Sequence, residues 1–352
     1  MQMWKTGVTS TLLIALAGCG GSGDGGGGGA SGIPVVSVPT PTTPPAPTPS
    51  PTATLPAASP TPTPTPAPTT WAGAAAALYD VPPDAATCRA GTLKASVKAD
   101  FLARLNAIRA LHQLPAVTYS EAEDAQEADS SLMMAVNKQL SHTPPTSWGC
   151  YTTTGAAAAG SSNLVGGWGT GLGTDSEDRY LGLWLTEGGS PAIGHRRWIL
   201  NPFLGKTSYG RVALLLPDGS RASAASMRVF NFAGGVAVPA GLPPYVAYPQ
   251  GDYPARYFTL SSYLSFTVVA GTASPYGANA NVRYDRATIS VTGPGGTLAV
   301  SDVTSDNEGY GVANNLQWRV AGLQAGVPYT VRIAGITGAP RAEYSYTFRV
   351  VS

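Results

Sequence analysis

Three histidines are the only side chains in this 352-residue chain whose ordinary titration lies near neutrality. Any imidazole chemistry must therefore run through His112, His142 or His195. His112 ends an apolar-faced helix and reads as a surface or packing residue. His142 lies in Leu140-Ser141-His142-Thr143-Pro144, just past a helix, and His195 lies in Gly194-His195-Arg196-Arg197-Trp198. Trp184-Leu185-Thr186-Glu187 stands upstream of His195 and supplies a carboxylate. Two imidazoles and one acid suit three kinds of chemistry. They can hold a divalent cation such as zinc, with water completing the shell. They can act on a nucleophile as an oriented base. They can also merely hydrogen-bond across two helices. No Gly-x-Ser-x-Gly elbow and no His-Glu-x-x-His pair occurs, and no Cys-x-x-Cys pair suggests structural zinc. Arg196 and Arg197 read as solvated or paired with acids, Trp184 and Trp198 as core.

The elements that must position these residues follow from periodicity. A helix is expected over about 94–111, with Phe101, Leu102, Leu105 and Ile108 on one face. Ser120-Glu121-Ala122-Glu123 has the form of a capping box, after which Ala125, Ala128, Leu132 and Ala135 recur at helical spacing. A third helix is expected to open at Ser190-Pro191 and to stop at Asn201-Pro202. Val212 to Leu216, the turn Pro217-Asp218-Gly219 and Met227 to Phe232 read as paired strands. Beyond Gly241 the pattern alternates: Leu316, Trp318 and Val320; Tyr329, Val331 and Ile333; Tyr344, Tyr346, Phe348 and Val350. Several short strands over about 110 residues imply an all-β sandwich of immunoglobulin or fibronectin type.

The N-terminal region has a different logic. Lys5 is followed by an apolar stretch from Val8 to Ala17, well short of the ~20 residues that span a bilayer. It reads as a secretion signal. Leu16-Ala17-Gly18-Cys19 resembles a bacterial lipoprotein processing site, which implies residues 1–18 as a signal peptide and a lipidated Cys19. Gly20 to Gly32 is nearly all glycine and serine, and Ile33 to Thr70 is mostly proline, threonine and alanine. Residues 19–70 therefore read as a disordered stalk, its proline part rising ~3.1 Å per residue. Export places Cys88 and Cys150 in an oxidising compartment, where a disulfide between them is expected. The 21 basic and 20 acidic residues leave a net charge of +1, which excludes a nucleic-acid footprint.

Between about Ala95 and Ala233 the chain resembles the CAP superfamily (SCP domain; cysteine-rich secretory proteins, antigen 5 and pathogenesis-related proteins). The residues that carry the likeness are Leu105-Asn106-Ala107-Ile108-Arg109, Ser141-His142, Ser161-Ser162-Asn163-Leu164, Trp184 with Glu187, and Gly194-His195. The resemblance implies an α/β fold, an α-β-α sandwich over residues 75–239, followed by the β-sandwich over 241–352. It also implies a cleft of two histidines and two acids, here His142, Glu187 and His195. The second acid is absent, because Ser162 stands where the family has glutamate. Serine is a neutral partner for imidazole, so a Zn2+ or other divalent-cation site at His142 and His195 would be weakened.

Three functions remain open at this stage. One is a non-catalytic surface lipoprotein of the bacterial envelope, on the outer membrane or cell surface. It would bind a lipid, glycan, peptide or protein through His142, Ser162, Glu187 and His195. Another is a hydrolase, peptidase or esterase, using the same cleft. The last is an adhesin whose β-sandwich does the recognition.

Overall fold

The computed structural model describes residues 70–187, 192–230 and 239–352. The signal segment, Cys19 and all of the stalk but Thr70 lie outside the described residues. So do the helix start at Ser190-Pro191 and the last two residues of the strand expected to end at Phe232. The head begins with α1 (Trp71–Ala76), β1 (Tyr79–Val81) and β2 (Thr92–Leu93), then α2 (Ala95–Leu111) and β3 (Thr118–Tyr119). It continues through α3 (Asp124–Asn137), α4 (Thr153–Ala159), β4 (Ser162–Gly169), α5 (Glu177–Thr186) and α6 (Gly194–Ile199). It closes with β5 (Lys206–Thr207), β6 (Tyr209–Leu215) and β7 (Arg221–Arg228).

Strands β4, β7 and β6 form an antiparallel sheet in that order. Successive strand residues point to opposite faces, and here both faces are covered. Leu164, Val212, Leu214, Ala222 and Ala224 pack with Leu132, Met134 and Ala135 of α3 and Ala159 of α4. Val165, Tyr209, Ala225 and Met227 pack with Phe101 and Leu105 of α2 and with Tyr180 and Trp184 of α5. The head is thus an α/β unit of three layers, helix on sheet on helix. Phe101 stacks on Tyr209 at 3.9 Å between ring centroids. Gly210 permits the opposite layer to come close, since a Cβ there would lie 2.2 Å from the backbone of Glu127.

Two expectations shift in detail. The capping box does not form in its usual geometry. Ser120 donates instead to the Glu123 carboxylate, as does Ser208 at 2.9 Å, so a 3-10 turn over Glu121–Glu123 precedes α3. Strand β7 starts earlier than its pattern suggested. The turn after Leu216 is tight, with Leu216 N bonded to Ser220 O at 2.8 Å, and the alanine- and serine-rich run that follows carries little hydrophobic signal. The expected Cys88–Cys150 disulfide is present, with Cα atoms 5.1 Å apart and a sequence separation of 62. It ties the segment before α2 to the loop after His142, and a loop of that length stabilises by about 4 kcal/mol in the chain-entropy view.

The C-terminal part holds β8 (Tyr245–Tyr248), β9 (Gly251–Pro254), β10 (Leu264–Val268), β11 (Thr288–Gly293) and β12 (Gly296–Thr297). Then come β13 (Val300–Asp306), β14 (Asn315–Val320), β15 (Pro328–Ala334) and β16 (Glu343–Val351). They make two sheets, one ordered β13-β14-β10-β8 and one β12-β11-β15-β16-β9. Phe266 of the first sheet meets Tyr344 and Tyr346 of the second at 5.4 and 6.3 Å, so the sheets face each other across an aromatic core. The alternation read in β16 is observed residue by residue, with Tyr344, Tyr346, Phe348 and Val350 all buried.

Head and sandwich share one hydrophobic core, and every described residue belongs to one compact unit. Polar groups lock the junction. His112 is 0% exposed, with Nδ1 donating to Ala247 O at 2.8 Å and Nε2 accepting from the Tyr253 hydroxyl at 3.1 Å. Arg196 is neither solvated nor paired with an acid. Its guanidinium donates to Leu185 O and Tyr263 O at 2.6 and 2.8 Å and stacks on Tyr248 at 3.9 Å. Arg197 does find an acid, donating to both oxygens of Asp306 at 3.0 and 2.9 Å. If the parts separated, His112 and the Arg197 guanidinium would lose these partners and Arg196 would keep only Leu185 O, which is costly for buried groups. Calorimetry of the full chain is therefore expected to show a single unfolding transition for the head and sandwich together; two resolved transitions would contradict the shared core.

Candidate functional site

His142 and His195 come together although 53 positions separate them in sequence. Helix α3 ends at Lys138, which takes the left-handed conformation (φ 50°), and the chain then turns to present His142 on the surface. Its Nδ1 lies 2.7 Å from Ala159 O at the end of α4. A carbonyl can only accept, so the proton sits on Nδ1 and Nε2 is the acceptor.

His195 is set by Glu187. That residue ends α5 in the left-handed conformation (φ 42°) and turns its carboxylate toward the start of α6. Oε1 accepts from His195 N at 3.2 Å and lies 2.9 Å from His195 Nδ1, while Oε2 accepts from Arg196 N at 3.1 Å. One carboxylate thus satisfies two backbone donors of α6 and orients the imidazole. Asn163 of β4 steadies the same turn by donating from Nδ2 to His195 O at 2.9 Å. The two rings lie 6.4 Å apart between centroids, tilted by 34°. They line a cleft of about 310 Å3 together with Ser162, Asn163, Trp198, Phe230 and Tyr310.

Ser162 reaches the cleft, but its hydroxyl is committed elsewhere. It lies 2.8 and 3.0 Å from the two carboxylate oxygens of Glu127 on α3. Ser226 donates to the same carboxylate, and Arg228 Nη1 stands 3.8 Å away. Glu127 is fully buried, and that burial pushes its pKa up to about 7 against the opposing pull of the two serine hydroxyls. The sequence reading passed over Glu127. A signal was available: Glu127, Ser131 and Met134 follow at helical spacing and are all buried, so a carboxylate stood on an inward-facing stripe.

Trp184 is core, its Nε1 donating to Leu164 O at 2.9 Å. Trp198 is largely buried but also forms part of the cleft wall, so its reading as core alone is incomplete. Asn106 and Arg109 tie α2 to its neighbours: Asn106 exchanges two hydrogen bonds with Val117, and Arg109 donates to Ile199 O and Asn201 O. Phe230 and Tyr310 were not singled out in the sequence. Tyr310 belongs to the sandwich, and no local pattern ties it to His195.

The arrangement limits the chemistry. A serine nucleophile needs a base within hydrogen-bond reach, yet the Ser162 hydroxyl turns to Glu127. A zinc centre of the open type uses three protein ligands. The cleft offers two imidazole Nε2 atoms, while Glu187 is held by α6 and Ser162 replaces an acid. Among the described residues no group of three or more His, Cys, Asp or Glu side chains is arranged to hold a metal ion. The donor set therefore does not fit a zinc centre.

Residues 102–212, from within α2 to within β6, match the family described as the cysteine-rich secretory protein family, CAP. The matched segment contains His142, Ser162, Glu187 and His195, and ends before Phe230 and Tyr310. No curated protein matches the chain.

The buried Glu127 makes a specific pH dependence. Its folded pKa is raised from 4.5 to about 7, so the native state favours the protonated form. Its stabilising contribution is full below about pH 4.5 and is lost as pH rises through 7. His112 acts in the opposite sense. Burial lowers its pKa from 6.5 to about 4, so its contribution is lost as pH falls below 6.5. The two oppose each other in the wild type. Glu127→Gln removes only the first, so its stability relative to wild type should climb from about pH 4.5 to pH 7, by about 3 kcal/mol at most. Urea midpoints measured across that range check this; a difference independent of pH would refute the assignment.

Proposed function

Because residues 102–212 carry a CAP domain, we propose that this chain is a non-catalytic binding module of the bacterial envelope, with the His142–His195 cleft as its ligand site. The reading rests chiefly on the hydrogen bonding of Ser162. Its hydroxyl donates into the buried Glu127 carboxylate and not toward either imidazole, so among the described residues Ser162 does not serve the cleft as an activated nucleophile. Glu187 likewise holds the backbone of α6 as well as the His195 ring. What remains toward the cleft, among the described residues, is two imidazole acceptors and an aromatic wall, which is binding chemistry.

The C-terminal part is read as an immunoglobulin-type sandwich, and its strand order supports this. Labelled A, A′, B, C, C′, D, E, F and G in chain order, β8 to β16 give sheets A-B-E-D and C′-C-F-G-A′, in line with the immunoglobulin arrangement. Tyr329 near the start of the F-equivalent strand β15 accepts a hydrogen bond from Gln324 N at 2.8 Å, the form of a tyrosine corner. The anchored part of the proposal comes from Leu16-Ala17-Gly18-Cys19 and the stalk. Lipidation at Cys19 would hold the chain on a membrane, and multiple acyl chains would be needed for firm attachment.

Two experiments test this reading. The purified full chain, screened against peptide and ester substrates, should give no turnover; turnover abolished by His195→Ala would overturn it. Metabolic labelling with a palmitate analogue should mark the wild type and not Cys19→Ser, and equal labelling of both would remove the anchor.

A further inference from the structure

The cleft wall is made by both parts of the chain. Trp198 and Phe230 lie 4.7 Å apart between ring centroids and are tilted by 56°, and Tyr310 stands edge-on to Trp198 at 6.5 Å. Phe230 and Tyr310 are 45% and 39% exposed and line the cleft, so the wall keeps accessible aromatic surface. Tyr310 comes from the loop between β13 and β14 of the sandwich, and α6 holds it in place. Arg197 grips Asp306 with both guanidinium nitrogens, donates from Nε to Tyr310 O at 3.2 Å and lies 5.2 Å over the Tyr310 ring. Gly311 makes the approach possible: its φ is +73°, and a Cβ there would sit 2.6 Å from Arg197 O.

The chemistry of the lining selects a ligand class. Arg197 is neutralised by Asp306 and Glu187 is held by α6, so among the described residues the cleft offers no unpaired charge to an ionic ligand. A cation is further disfavoured because Arg197 already occupies the Tyr310 face. An acyl chain would leave two imidazole nitrogens facing hydrocarbon without partners. A sugar ring meets both demands, with a C–H face for the aromatic rings and hydroxyls for the imidazole nitrogens. A volume of about 310 Å3 lies at the small end of ligand pockets and suits a ring or two.

Resting on the binding reading above, we propose that the cleft is a subsite for a ring of an uncharged oligosaccharide. The ring lies against Trp198, Phe230 and Tyr310, and its hydroxyls donate to Nε2 of His142 and of His195. The sandwich thereby sets specificity at a site that the head alone leaves open on one side.

The test is calorimetric titration of the full chain with neutral tri- to hexasaccharides of glucose, mannose and N-acetylglucosamine. Tetramethylammonium and an acidic uronate oligomer serve as competing chemistries. At least one neutral sugar should bind and neither competitor should. Tyr310→Ala should weaken binding by about tenfold, the loss expected for one stacked ring, and Tyr310→Phe should keep affinity within about twofold since the ring is retained. Phe230→Ala gives a second reading from the head side, with circular dichroism reporting the fold of each variant. Failure of all neutral sugars at millimolar concentration, tighter binding of either competitor, or a Tyr310→Ala chain with unchanged affinity would overturn the proposal. None of these outcomes touches the no-turnover test, so the non-catalytic reading stands or falls separately.

Discussion

One carboxylate holds the site together. Glu187 accepts hydrogen bonds from the backbone of His195 and Arg196 and orients the His195 ring. A buried carboxylate is costly unless hydrogen-bonded, and charge-assisted bonds to several donors offset that cost. The turn it fixes then distributes four consecutive side chains in four directions. His195 faces the cleft, Arg196 enters the sandwich, Arg197 grips Asp306 and Trp198 forms the wall. A shift of this turn would move all four, so cleft shape and the junction between head and sandwich are set by the same few hydrogen bonds.

The second charged group has an unusual place. Where the family resemblance leads one to expect glutamate, Ser162 lines the cleft, and its hydroxyl reaches back to a carboxyl on α3. The acid sits one layer behind the surface, wholly buried and with its pKa raised toward neutrality by desolvation. A carboxylate in such a position cannot touch a ligand in the cleft. It orients Ser162 and Ser226, and among the described residues the cleft itself carries no second negative charge. The site is consequently more neutral and more aromatic than one with two cleft acids would be.

Much of the fold was legible because short-range patterns carry it. Phe101, Leu105 and Ile108 recur at helical spacing and are buried in α2, and Tyr344 to Val350 alternate and are buried in β16. Strand β4 was not legible, since a run ending in Gly166-Gly167-Trp168-Gly169 has weak strand propensity. It forms because β7 pairs with it along its whole length. Strand β7 owes its early start to the tight turn before it, not to its own alanines and serines. The pair His142 and His195 was found through a family pattern, whereas Phe230 and Tyr310 belong to no pattern that includes them.

By itself the sequence determined the chemical inventory: three histidines, a pair of cysteines suited to a disulfide, one acid near His195, and two regions of helical and alternating periodicity. Those features depend on residue type and on spacings of a few residues, which local sterics and burial translate directly into structure. Tertiary structure alone decided that Glu127 stands behind Ser162, that His112 is sealed into the junction, and that the sandwich lends Tyr310 to the cleft. These depend on packing between segments up to about 140 residues apart, as in the His112–Tyr253 contact. No local periodicity encodes such contacts, because which faces meet is settled only when the two cores merge into one.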